Sequence, residues 1–137
     1  MKIAKEFRWE MGHRLSFHNG KCKNLHGHSY KLLVEFEGLL DSNGMMIDYF
    51  DVKEIISPII DKLDHAFMVH DKDKELIEAL TKLKSNFILV PYQPTAENIC
   101  HYFLNEIKAQ NLPERIRAIK VRVYETENTY AEEESKL

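Results

Sequence analysis

Alternation of apolar and polar residues along residues 26–36 constrains the fold more than any other feature of the sequence. One side of this pattern carries His26, His28, Tyr30, Leu32, Val34 and Phe36. A period of two places successive side chains on opposite faces of a strand, so the pattern predicts a β-strand with one buried face. Both histidines lie at the start of that face and project to the same side.

A second alternating segment precedes the first and ends in another histidine. Its apolar side is formed by Ile3, Phe7, Trp9, Met11 and His13. The polar loop that follows, over residues 16–24, contains the turn signal Asn19-Gly20. We therefore expect two neighbouring strands, in which His13 ends the buried face of one and can meet the two histidines of the other.

Three further segments have the three-and-four spacing of amphipathic helices. Their apolar positions are Val52, Ile55, Ile56, Ile59, Ile60 and Leu63, then Leu76, Ile77, Leu80 and Leu83, and finally Ala96, Ile99, Cys100, Phe103, Leu104 and Ile107. Asp48 or Asp51 can cap the first helix, and strands are predicted over 87–90 and 119–125. The acidic segment after Ala131 is expected to be frayed. Strands and helices in this order indicate an α+β fold.

Composition limits the class of protein. With 137 residues, 44% hydrophobic and 30% charged, the chain is expected to form a single domain over residues 1–137. The 19 basic and 22 acidic residues give a net charge of -3, so no positive field is present to bind nucleic acid or a membrane surface. No apolar run has membrane-spanning length, and the first residues lack a secretory signal. We expect a cytoplasmic protein with reduced cysteines.

The three histidines can be interpreted in three ways. A His-x-His pair together with a histidine from the adjacent strand offers three nitrogen ligands, which suits a catalytic zinc ion with one open position. If Cys22 supplies a fourth ligand, the zinc site is structural instead. The third interpretation is a group of hydrogen-bonded core histidines without a metal.

Two other short motifs have both a chemical and an ordinary interpretation. Cys22 stands between Lys21 and Lys23, whose charges favour a reactive thiolate, although an ordinary loop cysteine has the same appearance. Asp64 precedes His65, and a carboxylate beside an imidazole can orient it for proton transfer. The alternative is a solvated helix terminus.

Glu125 ends the apolar face of the last predicted strand, where a carboxylate needs a partner. A planar ligand that donates two N–H groups satisfies it, and so does a buried arginine. Thr95 and Glu97 lie at the start of the third helix, where their ordinary role is to cap the helix.

Four motifs, taken in this order, resemble the superfamily of 6-pyruvoyl-tetrahydropterin and 6-carboxy-tetrahydropterin synthases. They are Cys22-Lys-Asn-Leu-His26-Gly-His28, Leu63-Asp64-His65, Pro94-Thr95-Ala96-Glu97-Asn98 and Glu125-Thr126. Three residues separate the cysteine from His-Gly-His, and this spacing resembles that of the carboxy-tetrahydropterin synthases, which serve queuosine biosynthesis. The resemblance implies the tunnelling fold, an antiparallel sheet with helices packed on one face, whose sheets from several subunits join into a barrel.

The resemblance also implies roles for individual residues. His13, His26 and His28 are expected to hold Zn²⁺, Cys22 to be the catalytic acid/base group, and Asp64 and His65 to complete its proton relay. Glu125 is expected to anchor the pterin ring, with Thr95 and Glu97 also at the substrate. The active sites are expected between the subunits of a homo-oligomer, a hexamer built from two rings.

The implied enzyme is a zinc-dependent lyase that acts on 7,8-dihydroneopterin triphosphate. Its products are 6-carboxy-5,6,7,8-tetrahydropterin, acetaldehyde and triphosphate. Two alternatives remain open at this point: formation of 6-pyruvoyl-tetrahydropterin from the same substrate, and a non-catalytic protein that binds zinc or a pterin.

The chain departs from the family pattern at two places that shape the pocket. Met11-Gly12 replaces the usual Ala-Ala, and Met68-Val69 replaces Leu-Asn. The residues that bind the triphosphate are not specified by the motifs. By charge alone, Arg14, Lys21 and Lys23 are candidates.

Overall fold

The computed structural model describes residues 1–137 and contains six strands and three helices, apart from one short 3-10 turn. The strands are β1 (Lys2–His13), β2 (His26–Gly38), β3 (Ala66–His70), β4 (Phe87–Val90), β5 (Ile116–Thr126) and β6 (Thr129–Lys136). The helices are α1 (Tyr49–Asp61), α2 (Lys74–Lys82) and α3 (Ala96–Lys108). The α+β class is therefore confirmed.

All six strands form one sheet in the order β4-β3-β1-β2-β5-β6. The two alternating segments of the sequence pair with each other as antiparallel neighbours at its centre. In this register His13 lies opposite His26, and Met11 lies opposite His28. The predicted meeting of the three histidines thus follows directly from the pairing of β1 with β2.

The expected antiparallel sheet is corrected to a mixed one, because β3 runs parallel to both β1 and β4. The other neighbouring pairs are antiparallel. A parallel pair requires a crossover connection, and α2 provides it between β3 and β4. The sequence patterns predicted β4 but missed β3, which has only five residues and no clear alternation.

The main core lies between the sheet and the helices α1 and α3. Trp9 of β1 and Tyr30 of β2 stack with ring centroids 4.8 Å apart, and the edge of Phe103 from α3 meets Trp9 at 5.0 Å. All three rings are buried. Burial of these rings stabilises the pairing of β1 with β2 next to the histidines.

Helix α2 belongs to a smaller cluster, in which Leu76 and Leu80 pack against Val69. Val69 alternates with Met68, and Met68 is part of the main core. The small cluster therefore lies on the side of β3 that faces away from the main core.

The predicted fraying after Ala131 is wrong. Residues 129–136 form β6, which pairs with β5. Glu132 accepts a hydrogen bond from Arg122 at 2.7 Å, and Tyr130 packs against Tyr124 with a centroid distance of 5.2 Å. The acidic residues are held because the neighbouring strand supplies cations and an aromatic ring. None of the three helices has the length and apolarity needed to cross a lipid bilayer.

Candidate metal centre and active site

Three histidines form a compact group at one end of the central strand pair. One ring nitrogen from each of His13, His26 and His28 lies within 4.8 Å of the others. His13 is buried, with 1% of its surface exposed, whereas the other two are partly exposed. The group is thus accessible to ligands through His26 and His28.

Backbone carbonyls fix the proton positions on two of these rings. Nδ1 of His13 donates to the carbonyl of Pro94 at 2.7 Å, and Nδ1 of His26 donates to the carbonyl of Asn24 at 2.7 Å. A carbonyl only accepts, so in each neutral ring Nε2 carries a lone pair. These two Nε2 atoms face each other at 3.0 Å. Two facing lone pairs repel, and a shared cation removes that repulsion.

Burial also keeps His13 unprotonated. Loss of hydration lowers the pKa of His13 from 6.5 to about 4, and the charges of His26 and His28 act in the same direction. Burial likewise lowers the pKa of His28, partly offset by the nearby carboxylate of Glu125. Neutral imidazoles are the form that binds metal ions. The ring nitrogens of the three histidines lie within 4.8 Å of one another and could hold a metal ion.

Glu125 reaches this group from the end of β5. Its Oε1 atom is 3.5 Å from Nε2 of His13 and 3.5 Å from Nε2 of His28. A buried arginine was one possible partner on sequence grounds, but Glu125 forms no ion pair with an arginine or lysine. Its neighbours are histidines instead.

Cys22 lies on the 3-10 turn Lys21–Lys23 and is half-buried. Its side chain forms no hydrogen bond with another residue of the chain. Together with Lys21, Asn24, His26 and His28 it lines a cavity of about 520 Å³. A thiol in this position opens into the same space as two of the three histidines.

Asp64 and His65 occupy the turn between α1 and β3. Oδ1 of Asp64 is 3.0 Å from Nδ1 of His65 and accepts a hydrogen bond from the backbone N–H of Glu10 at 2.9 Å. His65 has a positive φ of 59° and an exposed ring, and its backbone N–H donates to the Glu10 carbonyl. The two residues therefore form an oriented pair held against β1.

This pair and Cys22 do not meet within the chain. His65 lines a second cavity of about 340 Å³, together with Gly12, Phe67 and other residues, and no hydrogen bond joins it or Asp64 to Cys22. His28 is the one residue shared by the two cavities. Cys22 and His65 are both expected in the proton relay, but they thus line two different cavities that share His28.

Thr95 and Glu97 lie at the start of α3, as predicted. The hydroxyl of Thr95 accepts a hydrogen bond from the backbone N–H of Asn98 at 3.2 Å, which is the capping role. Glu97 is exposed in the first turn of the helix. The same helix start is tied to the histidine group, because the carbonyl of the preceding Pro94 accepts from His13.

Arg14 forms an ion pair with Asp73, although its charge made it a candidate for binding the triphosphate. Its guanidinium donates two hydrogen bonds to Asp73, at 2.8 and 2.6 Å. Asp73 also caps α2, so the pair ties the end of β1 to that helix. Of the two lysine candidates, Lys21 lines the cavity beside Cys22.

Two residues that orient the histidines were missed by sequence reasoning. Pro94 and Asn24 act through their backbone carbonyls, which carry no side-chain signal. Tyr30 was assigned only to the strand face, yet its ring centroid is 5.5 Å from that of His28, and its buried hydroxyl has no hydrogen-bond partner. The strand alternation that placed His28 could also have placed Tyr30 beneath it.

The fold and the site together define a class: an α+β domain whose central strand pair presents three histidines suited to a metal ion. The sequence matches the family model described as 6-pyruvoyl tetrahydropterin synthase over residues 2–136. The chain belongs to this family.

Curated relatives match over nearly their whole length. The chain is 39% identical to 6-carboxy-5,6,7,8-tetrahydropterin synthase from Haemophilus influenzae, with 96% of each chain covered. It is 33% identical to the protein of the same name from Rickettsia conorii, with 96% of this chain and 99% of that protein covered.

Solved structures show the fold. The 6-pyruvoyl tetrahydropterin synthase of Plasmodium vivax superposes with a TM-score of 0.81 at 19% identity, covering 100% of this chain and 98% of the other. The synthase from Caenorhabditis elegans gives a TM-score of 0.72 at 21% identity, with 98% and 95% covered. The tunnelling fold implied by the sequence motifs is confirmed for the chain.

Proposed function

We propose that this protein is a zinc-dependent lyase that converts 7,8-dihydroneopterin triphosphate and water into 6-carboxy-5,6,7,8-tetrahydropterin, acetaldehyde and triphosphate. The observation that carries the proposal is the group of three histidine nitrogens beside Cys22. The two relatives that are 6-carboxy-5,6,7,8-tetrahydropterin synthases support the carboxy product. In the same proposal residues 1–137 act as one cytoplasmic domain in queuosine biosynthesis.

His13, His26 and His28 are the residues that hold the zinc ion. Bound there, zinc supplies Lewis-acid chemistry to the side-chain hydroxyls of the substrate, which makes the neighbouring C–H protons more acidic. The carbonyls of Pro94 and Asn24 support this role by keeping two of the imidazoles in the tautomer that binds metal.

Cys22 is the group that removes and returns those protons. Its position in the cavity of His26 and His28 brings the sulfur to the side of the site where a ligand enters. A cysteine side chain at this position is suited to accept and return a proton.

Asp64 and His65 complete the proton relay from a neighbouring copy of the chain. Within one chain they form no hydrogen bond to Cys22, and the side chain of His65 is 77% exposed, so it is accessible to another copy. A homo-oligomer, a hexamer in this proposal, allows the His65 of one copy to reach the Cys22 of another. Asp64 then fixes the orientation of the imidazole.

The pterin ring binds between Glu125 and the start of α3. A carboxylate accepts two N–H bonds from a pterin edge in a bidentate manner, which is the role proposed for Glu125. Thr95 and Glu97 are proposed to contact the same ring from the start of α3. The hydroxyl of Thr95 accepts the capping hydrogen bond and keeps its own proton for a contact with the ring.

Product analysis tests the proposal. The purified protein, loaded with zinc, is incubated with 7,8-dihydroneopterin triphosphate, and the pterin and the small carbon product are separated by chromatography. We expect the carboxy compound and acetaldehyde in equal amounts. Pyruvoyl-tetrahydropterin without acetaldehyde would instead support the alternative synthase, whose metal and relay are the same. A protein that binds zinc or a pterin without turnover would support the non-catalytic alternative.

A further inference from the structure

We propose that Glu125 is a fourth protein ligand of the metal ion while no substrate is bound. This inference rests on the proposed zinc site of His13, His26 and His28. It adds a resting state to that site, in which a carboxylate occupies the position that the substrate later takes.

The distances from Glu125 to two of the three histidines are close to those within a coordination sphere. Two ligand atoms bound to one tetrahedral zinc ion, each about 2.0–2.1 Å from it, are about 3.3 Å apart. Oε1 of Glu125 is 3.5 Å from the Nε2 atoms of both His13 and His28. A charge-assisted hydrogen bond between a histidine and a carboxylate is shorter, about 2.7–2.9 Å. The carboxylate therefore lies at the distance of a fellow ligand rather than of a hydrogen-bond partner.

The proton positions lead to the same conclusion. The only ring proton of neutral His13 is on Nδ1, where it is given to Pro94. Its Nε2 lone pair consequently faces the oxygen of Glu125, and His13 is buried from water. A lone pair and a carboxylate at this separation repel each other in a medium of low dielectric constant. A metal ion between them turns the repulsion into attraction.

The backbone directs Glu125 to this position. Between Tyr124 and Thr126 the register of β5 with β6 shifts, so Glu125 lacks a partner residue on β6. Irregularities of this kind re-aim a side chain next to functional sites. No lysine or arginine forms an ion pair with Glu125, and the neighbours of its carboxylate are His13 and His28.

A metal-bound Glu125 links substrate binding to release of the carboxylate. If the hydroxyls of a substrate took the position of Glu125 at the metal, its carboxylate would be free to accept the N–H groups of the pterin ring. The pterin anchor is thereby available only to a molecule that also offers oxygen ligands to the metal.

Cobalt substitution tests this inference without any measurement of turnover. The whole protein is stripped of metal and loaded with Co²⁺, whose visible absorption reports ligand number and type. The variants are Glu125→Gln and Glu125→Ala, with Glu127→Gln as the matched control two residues further on. Zinc affinity is measured in parallel by competition with a chelating dye.

We expect both Glu125 variants to change the visible bands of the cobalt protein and to weaken zinc binding about 10- to 100-fold. The Glu127→Gln protein should match the wild type in both measurements. Wild-type bands and wild-type zinc affinity in a folded Glu125→Ala protein would overturn the inference and leave the three-histidine site intact. A wild-type protein that takes up neither metal would overturn both the inference and the proposed zinc enzyme.

Discussion

The ring of Phe67 occupies the space that a side chain at the position of Gly12 would need. A Cβ atom placed on Gly12 would lie 2.5 Å from Cε1 and 2.7 Å from Cδ1 of the Phe67 ring. The two residues are register partners on the parallel strands β1 and β3. This contact explains why the chain has glycine where the family often has alanine: the ring of Phe67 fills the space next to residue 12, which directly precedes His13.

Replacing Gly12 with alanine should destabilise the protein. The ring has to move from its place, and overpacking of this kind costs about 1–3 kcal/mol. Urea unfolding of Gly12→Ala measures the change in the free energy of unfolding. Phe67→Leu is the partner variant, because it removes the part of the ring that the new methyl group would meet. We expect the cost of Gly12→Ala to be much smaller in the Phe67→Leu background, and equal costs in both backgrounds would contradict the contact.

Replacing His26 with alanine should lower the metal content of the purified protein. Three nitrogen ligands become two, and the remaining pair holds zinc more weakly. Elemental analysis after dialysis against a weak chelator measures occupancy, with an expected fall from about one zinc per chain to a small fraction of that. His101→Ala is the control, since His101 is exposed and pairs with Glu133 far along the sequence. Undiminished zinc in the His26 variant would contradict its role as a ligand.

Substituting Cys22 with alanine separates the catalytic zinc site from a structural one. If Cys22 carries protons, the variant loses turnover by at least about 100-fold and keeps its zinc. If Cys22 closes the coordination sphere, the metal is lost as well. Cys100→Ala is the control: this thiol is buried and donates to the carbonyl of Val121, so its removal should lower stability without abolishing turnover.

The stability of the metal-free protein should fall as the pH is lowered from about 6.5 towards 4. Burial lowers the pKa of His13 to about 4, so the unfolded chain binds a proton at a higher pH than the native protein does. The contribution of His13 is complete above 6.5 and is lost as the pH falls through that window, on the order of 3 kcal/mol. Urea titrations of chelator-treated protein across this range measure the slope.

The variant His13→Gln isolates this contribution from that of the carboxylates, which titrate in both proteins. Its stability should depend less steeply on pH than that of the wild type, whereas His101→Gln should keep the wild-type slope. Identical slopes for wild type and His13→Gln would contradict the lowered pKa of His13.

Lys21 and Arg14 should differ in their effect on substrate binding. Lys21→Gln removes a charge from the cavity of Cys22, and we expect KM for the triphosphate substrate to rise about 5-fold, which corresponds to about 1 kcal/mol. Arg14→Gln leaves Asp73 without its bidentate partner, so the expected loss is about 1–3 kcal/mol of stability with KM unchanged. Steady-state kinetics and urea unfolding of both variants distinguish the two, and a raised KM only in Arg14→Gln would reverse the assignment.

Local patterns in the sequence were sufficient for the centre of the fold. The alternation of β1 and β2 predicted which side of each strand is buried, and the positions of His13, His26 and His28 on that side led directly to the group that the structure contains. The caps of two helices, Asp48 and Thr95, were also readable, because a cap acts within a few residues of the helix start.

The errors occurred where a residue depends on a distant partner. The segment after Ala131 looked frayed on its own, yet it is ordered by the cations and the aromatic ring of β5. Arg14 looked free to bind an anion, yet its partner Asp73 lies 59 residues away. Neither partner can be identified from the composition of the segment itself.

The sequence by itself determined the strands, the helices and the chemical types at the site, since periodicity and residue identity are local properties. Only the tertiary structure decided which nitrogen of His13 carries the proton, because Nδ1 donates to a carbonyl 81 residues away. It also decided that Glu125 lies at the same distance from two imidazoles. The reason is physical: a metal site depends on distances and lone-pair directions, and these are fixed by packing between segments that are far apart in the chain.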